Sequence, residues 1–119
     1  MQDLKNFIKP AENRLLSLIR DRLIKQLEIN QLILFGSYAA KKNDTDSDID
    51  LIVILNQKGV SKSYTEKIQK RTSVTRLLND IRKQVPMDVL VYTKDEWEML
   101  VQQNTSFIKE VKSTGVNLI

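Results

Sequence analysis

The sequence predicts an α/β (α+β) domain, a small mixed β-sheet flanked by helices. Three observations carry this. Short apolar runs at 31–35, 49–55 and 87–92 each end at a turn residue or a helix cap, as buried strands do. Longer stretches around them repeat their apolar residues every three or four positions, the spacing of one helix face. The second run, IDLIVIL, is apolar on both faces after Asp50, which describes a central strand covered on both sides.

Each element has its own local reason. A helix is expected over 10–28, because Pro10 suits a first helical position and Leu15, Leu16, Ile19, Leu23 and Leu27 form one stripe. The strand 31–35 is stopped by Gly36, and Ser37 can cap a short helix over 37–40. KKNDTDS is a polar connector to the strand 49–55. Gly59 marks a turn within the loop 56–62. Ser63 and Glu66 stand in the capping-box relation, so a helix is expected from Ser63 to Val85, with Ile68, Val74, Leu77, Leu78, Ile81 and Val85 as its stripe and Pro86 as its stop. After the strand 87–92, Thr93 and Glu96 form a second capping box and open a helix with Trp97, Leu100 and Val101. A last amphipathic segment carries Phe107, Ile108 and Val111 and stops at Gly115. The order is α-β-(α)-β-α-β-α-α, expected as one domain over 1–119.

Topology follows from reach. A short connector brings Gly36-Ser37 beside Asp48 if the first two strands are antiparallel. Asp88, at the start of the third strand, joins them at the same end only if that strand is parallel to the second. Parallel neighbours need a crossover of a dozen or more residues, which the helix from Ser63 supplies.

Composition excludes several chemistries. The chain has 119 residues, without Cys or His, and a net charge of +4. Disulfides, thiolate sites, cysteine nucleophiles and Ser-His catalysis are therefore absent. Carboxylates, Lys/Arg, hydroxyls and a bound metal remain. The charge is a mild bias towards anions and does not choose among nucleotides, nucleic acid and an acidic partner. Asp3, Lys5 and Lys9 interrupt the first residues, so no signal peptide is read there. No apolar run approaches the ~18 residues of a membrane helix, and a cytoplasmic location is expected.

The chemistry concentrates in LILFGSYAAKKNDTDSDIDLIVIL. Asp48 and Asp50 are two residues apart at a strand start, so their side chains share a face. Side-by-side carboxylates repel unless a positive charge lies between them, and magnesium takes oxygen ligands. Gly36 and Ser37 offer a backbone amide and a hydroxyl to a phosphate. Taken singly, these residues have plainer uses. Asp48 and Asp50 suit an exposed strand start, Asp88 suits an ion pair with Lys or Arg, and Ser37 suits a helix cap. The run of aspartates is not an EF-hand, since Ile49 stands where the loop needs Gly and Leu55 where it needs Glu. Gly36-Ser37 is not a P-loop either. Lys41, Lys42, Lys67, Lys70 and Arg71 are available to phosphates or to a partner.

These residues, GSYAAKKNDTDSDID followed by MDVLV, resemble the DNA-polymerase-β-like nucleotidyltransferase superfamily, and within it the minimal nucleotidyltransferases (MNT) of prokaryotes. The shared pattern is Gly36-Ser37, ten residues, Asp48-Ile49-Asp50, and Asp88 on a later strand. The resemblance covers nearly the whole chain and implies a polymerase-β palm-like nucleotidyltransferase fold. It implies transfer of a nucleoside monophosphate, with ATP as substrate, to a hydroxyl. Asp48 and Asp50 would bind two Mg²⁺ ions, with Asp88 sharing one of them and orienting or deprotonating the acceptor. Gly36 and Ser37 would hold the β- and γ-phosphates. Two metals ~4 Å apart stabilise both the attacking and the leaving oxygen, so neither His nor Cys is required. No acceptor domain is expected in 119 residues, and a partner chain or a second copy of this one would supply the acceptor. The resemblance implies a HEPN-type helical partner, a toxin, silenced by adenylylation of a tyrosine, which makes this chain the antitoxin. The alternative is a binding antitoxin that neutralises its partner by occlusion. A basic nucleic-acid binder ranks last, for want of any reading motif.

Overall fold

The structure is a computed structural model and describes residues 10–36 and 48–119. The short helix expected at 37–40 and the polar connector lie outside the described residues. In order come α1 (Pro10–Gln26), β1 (Ile29–Phe35), β2 (Ile49–Leu55), α2 (Tyr64–Arg76), α3 (Asn79–Arg82), β3 (Met87–Thr93), α4 (Lys94–Gln103), α5 (Ser106–Thr114) and β4 (Val116–Asn117). The four strands form one mixed sheet in the order β3-β2-β1-β4. β1 pairs antiparallel with β2 and β4, and β3 pairs parallel with β2. Both expected pairings of the first three strands are present.

Strand alternation divides the core into two layers. Ile49, Leu51, Val53 and Leu55 of β2 face one way, with Leu32 and Leu34 of β1, and pack against Leu16, Ile19 and Leu23 of α1, Val74 of α2 and Ile81 of α3. Ile52 and Ile54 face the other way with Ile33 and Phe35, and pack against Trp97 of α4 and Ile108 and Val111 of α5. β2 is thus the central strand its composition predicts, and every apolar residue in it is buried.

The capping residues behave largely as expected. Thr93 Oγ1 accepts the Glu96 amide while Glu96 accepts the Thr93 amide, a complete capping box at the start of α4. At α2 the Ser63 hydroxyl accepts the Glu66 amide, but Glu66 reaches one residue further back, to the Lys62 amide. The long helix expected from Ser63 to Val85 is broken. α2 ends at Arg76, Leu78 leaves helical geometry at φ −112° and ψ 8°, and α3 is a separate turn. Arg22 of α1 accounts for the break, since its guanidinium donates to the Leu77 carbonyl at 3.1 Å and bonds Asp80 as well. A carbonyl that loses its helical partner is thereby satisfied, and Leu78 and Ile81 both reach the core. Ile68, expected in the buried stripe, is 45% exposed. β4 was outside the expected elements because two residues carry no period. It forms because Gly115 turns the chain back tightly, where a Cβ would lie 2.3 Å from the Val111 carbonyl. Among the described residues no helix is long and apolar enough to cross a membrane.

Candidate active site

The site is built where β1 ends and β2 and β3 begin. Antiparallel pairing sets Phe35 opposite Asp50, and parallel pairing sets Asp50 beside Asp88. Asp50 and Asp88 occupy the same register on neighbouring strands, so both project on the α4/α5 face of the sheet. Asp48, two residues before Asp50, is exposed at the mouth of β2. Phe107 of α5 meets Phe35 edge-on with centroids 5.7 Å apart, which walls the site on its apolar side.

Gly36 is the second fixed point. Its φ is +78°, in the left-handed region that favours glycine, and a Cβ there would lie 2.6 Å from Asp50 Oδ2. The backbone therefore passes directly against the carboxylate, at a distance no other residue type allows. Ser37, the expected phosphate-binding hydroxyl, lies outside the described residues.

The charges around Asp50 are crowded. Burial pushes its carboxyl above the ordinary 3.8, and the negative charges of Asp88, Asp48 and Glu110 push it further. Glu110, on α5, has no sequence signal that links it to the aspartates. It reaches the site because α5 packs over β1. Asp88 takes the plainer course as well: Arg71 Nη2 donates to its Oδ1 at 3.3 Å, with both side chains more than half exposed. Pairs of this kind contribute about 0–1 kcal/mol and exchange readily with solvent. Asp48 lines a cavity of about 410 Å³ together with Asn79, Arg82 and Lys83. Those two cations had no sequence signal either, since they share the cavity with Asp48 only through the packing of α3 beside the start of β2.

The donor set is all oxygen, which suits a hard divalent ion. The Gly36 backbone leaves the space beside Asp50 that a Cβ would fill, and the mutual repulsion of the carboxylates is relieved by a cation, so the residues fit the group. Among the described residues no three acidic side chains are arranged to hold a metal ion as they stand. Asp88 is turned to Arg71 instead.

Comparison with known proteins decides the family. The polymerase beta nucleotidyltransferase family model matches residues 18–119, which spans every strand and all the aspartates above. The chain belongs to this family. This nucleotidyltransferase is 28% identical over 116 residues to a protein of Methanocaldococcus jannaschii named "putative protein adenylyltransferase", a match that covers 98% of this chain and 99% of that one. A crystal structure of a toxin-antitoxin with AMP-PNP superposes with a TM-score of 0.50 at 19% identity, over 91% of this chain and 72% of that chain. That likeness shows the nucleotidyltransferase fold. A tri-AMPylated Shewanella oneidensis HEPN toxin in complex with MNT antitoxin is a more distant match, at a TM-score of 0.42 and 18% identity over 91% of this chain and 68% of that one.

Proposed function

We propose that this nucleotidyltransferase is an Mg²⁺-dependent protein adenylyltransferase that moves AMP from ATP to a hydroxyl, a tyrosine of a HEPN-type toxin, and so acts as its antitoxin. The observation that carries the reading is the pairing of Asp50 with Asp88 on adjacent parallel strands, against the bare backbone of Gly36. A structural strand start has no use for two level carboxylates that repel each other. The curated relative's name and the toxin-antitoxin of the superposed structure support the activity and the partner class.

Asp48, Asp50 and Asp88 would hold the magnesium. Bound there, the metal supplies positive charge to the attacking and the leaving oxygens. Gly36, with Ser37, holds the β- and γ-phosphates, its missing Cβ letting the backbone approach them. Asp88 parts from Arg71, orients the acceptor hydroxyl and takes its proton as the oxygen attacks the α-phosphorus. The α–β phosphoanhydride breaks and pyrophosphate leaves. Arg71, released, remains beside the reacting centre as a positive charge. Apolar packing of Phe35 and Phe107 keeps water from one side of the site.

The test is transfer of label from α-labelled ATP, with Mg²⁺, to the product of the adjacent gene, run beside Asp48→Asn/Asp50→Asn. Wild type should label the partner and the double variant should lose at least ~10²-fold in rate. A second reading is favoured by the Arg71–Asp88 pair and by the incomplete convergence of the three carboxylates. There the chain neutralises its partner by occlusion. If the double variant protects cells from the partner as well as wild type does, and no label moves, occlusion is the function.

A further inference from the structure

Among the described residues no strand pairs with the outer edge of β3. β3 ends the strand order, and its burial falls short of that of β2: Leu90, Val91 and Tyr92 are only partly buried. α2 runs beside this edge and turns Ile68 and Tyr64 to solvent, 45% and 78% exposed. Between helix and strand lies a groove of about 240 Å³, walled by these residues together with Lys67 and Arg71. Lys67 and Tyr92 also line a second hollow, whose rim carries Met99 at 52% exposure and Val60 at 47%. Isolated apolar residues on a surface are ordinary, but apolar residues gathered along an edge strand, as these are among the described residues, are a liability unless something covers them.

The strip is continuous with the active site. Arg71 lines the groove, and its guanidinium donates to Asp88, the residue that receives the acceptor hydroxyl in the reading above. One side chain thus joins the groove to Asp88. The charges choose its chemistry: among the residues that line the groove the only ionisable side chains besides tyrosines are Lys67 and Arg71, both exposed cations. Lys70, on the same helix, is occupied with Ser61 and Glu66.

We propose that the β3–α2 groove is the docking surface for the acceptor protein, and that it takes a segment with apolar side chains and at least one carboxylate, which delivers its hydroxyl to Asp88. Ile68 and Tyr64 receive the apolar side chains and Lys67 the carboxylate. This rests on the transferase reading for the direction of delivery, while the docking itself can be measured without turnover. It also explains why a strong apolar position of the α2 pattern is left outside the core.

The probe is the purified product of the adjacent gene, and the variants are Ile68→Glu, Lys67→Glu and, outside the lining of the groove, Leu18→Glu, which is 47% exposed on α1. Binding is measured without nucleotide by calorimetry, and transfer is measured as a function of partner concentration. Ile68→Glu should weaken binding and raise the KM for the partner by about tenfold or more, with kcat at saturating partner within about twofold of wild type. Lys67→Glu should weaken binding and flatten its salt dependence. Leu18→Glu should bind as wild type. Circular dichroism of each variant should match wild type, as expected for exposed positions. If wild type binds the partner and transfers nothing, the transferase reading fails and the docking surface is judged on the binding constants alone. If Ile68→Glu binds as tightly as wild type, or Leu18→Glu is the weaker binder, the proposal is overturned while transfer stands. If wild type does not bind the partner, or if Ile68→Glu instead dissociates a dimer of this chain in sedimentation, the proposal is overturned, in the second case in favour of another copy as the occupant.

Discussion

Asp50 shows how a single side chain can oppose the fold that holds it. Its carboxyl is raised by burial and by Asp88, Asp48 and Glu110, so the folded state binds its proton more tightly than the unfolded chain does. The contribution to stability then favours the protonated form. It is present at low pH and is lost as pH rises through and above the ordinary 3.8, where the unfolded chain releases the proton first. Asp50→Asn is expected to raise the melting temperature of the metal-free protein at neutral pH. Added Mg²⁺ should raise the melting temperature of wild type and leave that of Asp50→Asn nearly unmoved. Both shifts are read by calorimetry, and a lower melting temperature for the variant would contradict the repulsion. Gly36→Ala meets two penalties at once, a positive φ and a Cβ 2.6 Å from Asp50 Oδ2. It should cost about 1–2 kcal/mol for the backbone conformation alone, measured by urea unfolding, and abolish the Mg²⁺-dependent gain in melting temperature. The sequence made the placement of Gly36, Asp50 and Asp88 at one end of the sheet legible, because spacing and alternation bear directly on it. Arg71 and Glu110 were not legible as neighbours of the aspartates, since each lies on a helix whose placement over the sheet is a tertiary fact.

At the scale of elements, local capping held while helix length did not. Thr93 caps α4 and also donates its hydroxyl to the Gly59 carbonyl at 2.6 Å, so one residue fixes both the helix start and the loop before α2. Thr93→Ala should cost about 1 kcal/mol or more in chemical denaturation, at the upper part of the range for caps because a second bond is lost. Glu96 extends the same joint. Burial alone would push its carboxyl up, but the amides of Thr93 and Ser61 and the Ser61 hydroxyl outweigh that and hold it below the ordinary 4.5. Its contribution is therefore present above 4.5 and is lost as pH falls through its lowered folded value. Stability measured by denaturant between neutral pH and pH ~3 should fall less steeply for Glu96→Gln than for wild type. The break between α2 and α3 belongs to this scale too. No residue in TRLLNDIR is a helix breaker, and the competing partner is Arg22 on another element.

For the whole molecule, the sheet is what converts sequence neighbours into a site. β2 lies between β1 and β3 with apolar residues on both faces, so its loss would separate Gly36 from Asp88 as well as empty both cores. Ile52→Ala, at a fully buried position in the layer beneath α4 and α5, should cost about 2–5 kcal/mol in urea unfolding, with transfer activity recovering in proportion to the folded fraction. The amino-acid order alone determined the three strands and permitted a mixed sheet with β3 returning parallel, because the length of the crossover allows it; the structure has that sheet, and within it Asp88 lies level with Asp50. Only packing decided which charges surround those aspartates, where the long helix breaks, and that Ile68 faces solvent near β3, the edge strand among the described residues. Those outcomes depend on which helix face finds the sheet and which polar group is nearest when it does. No periodicity along the chain encodes distances between elements that are far apart in it.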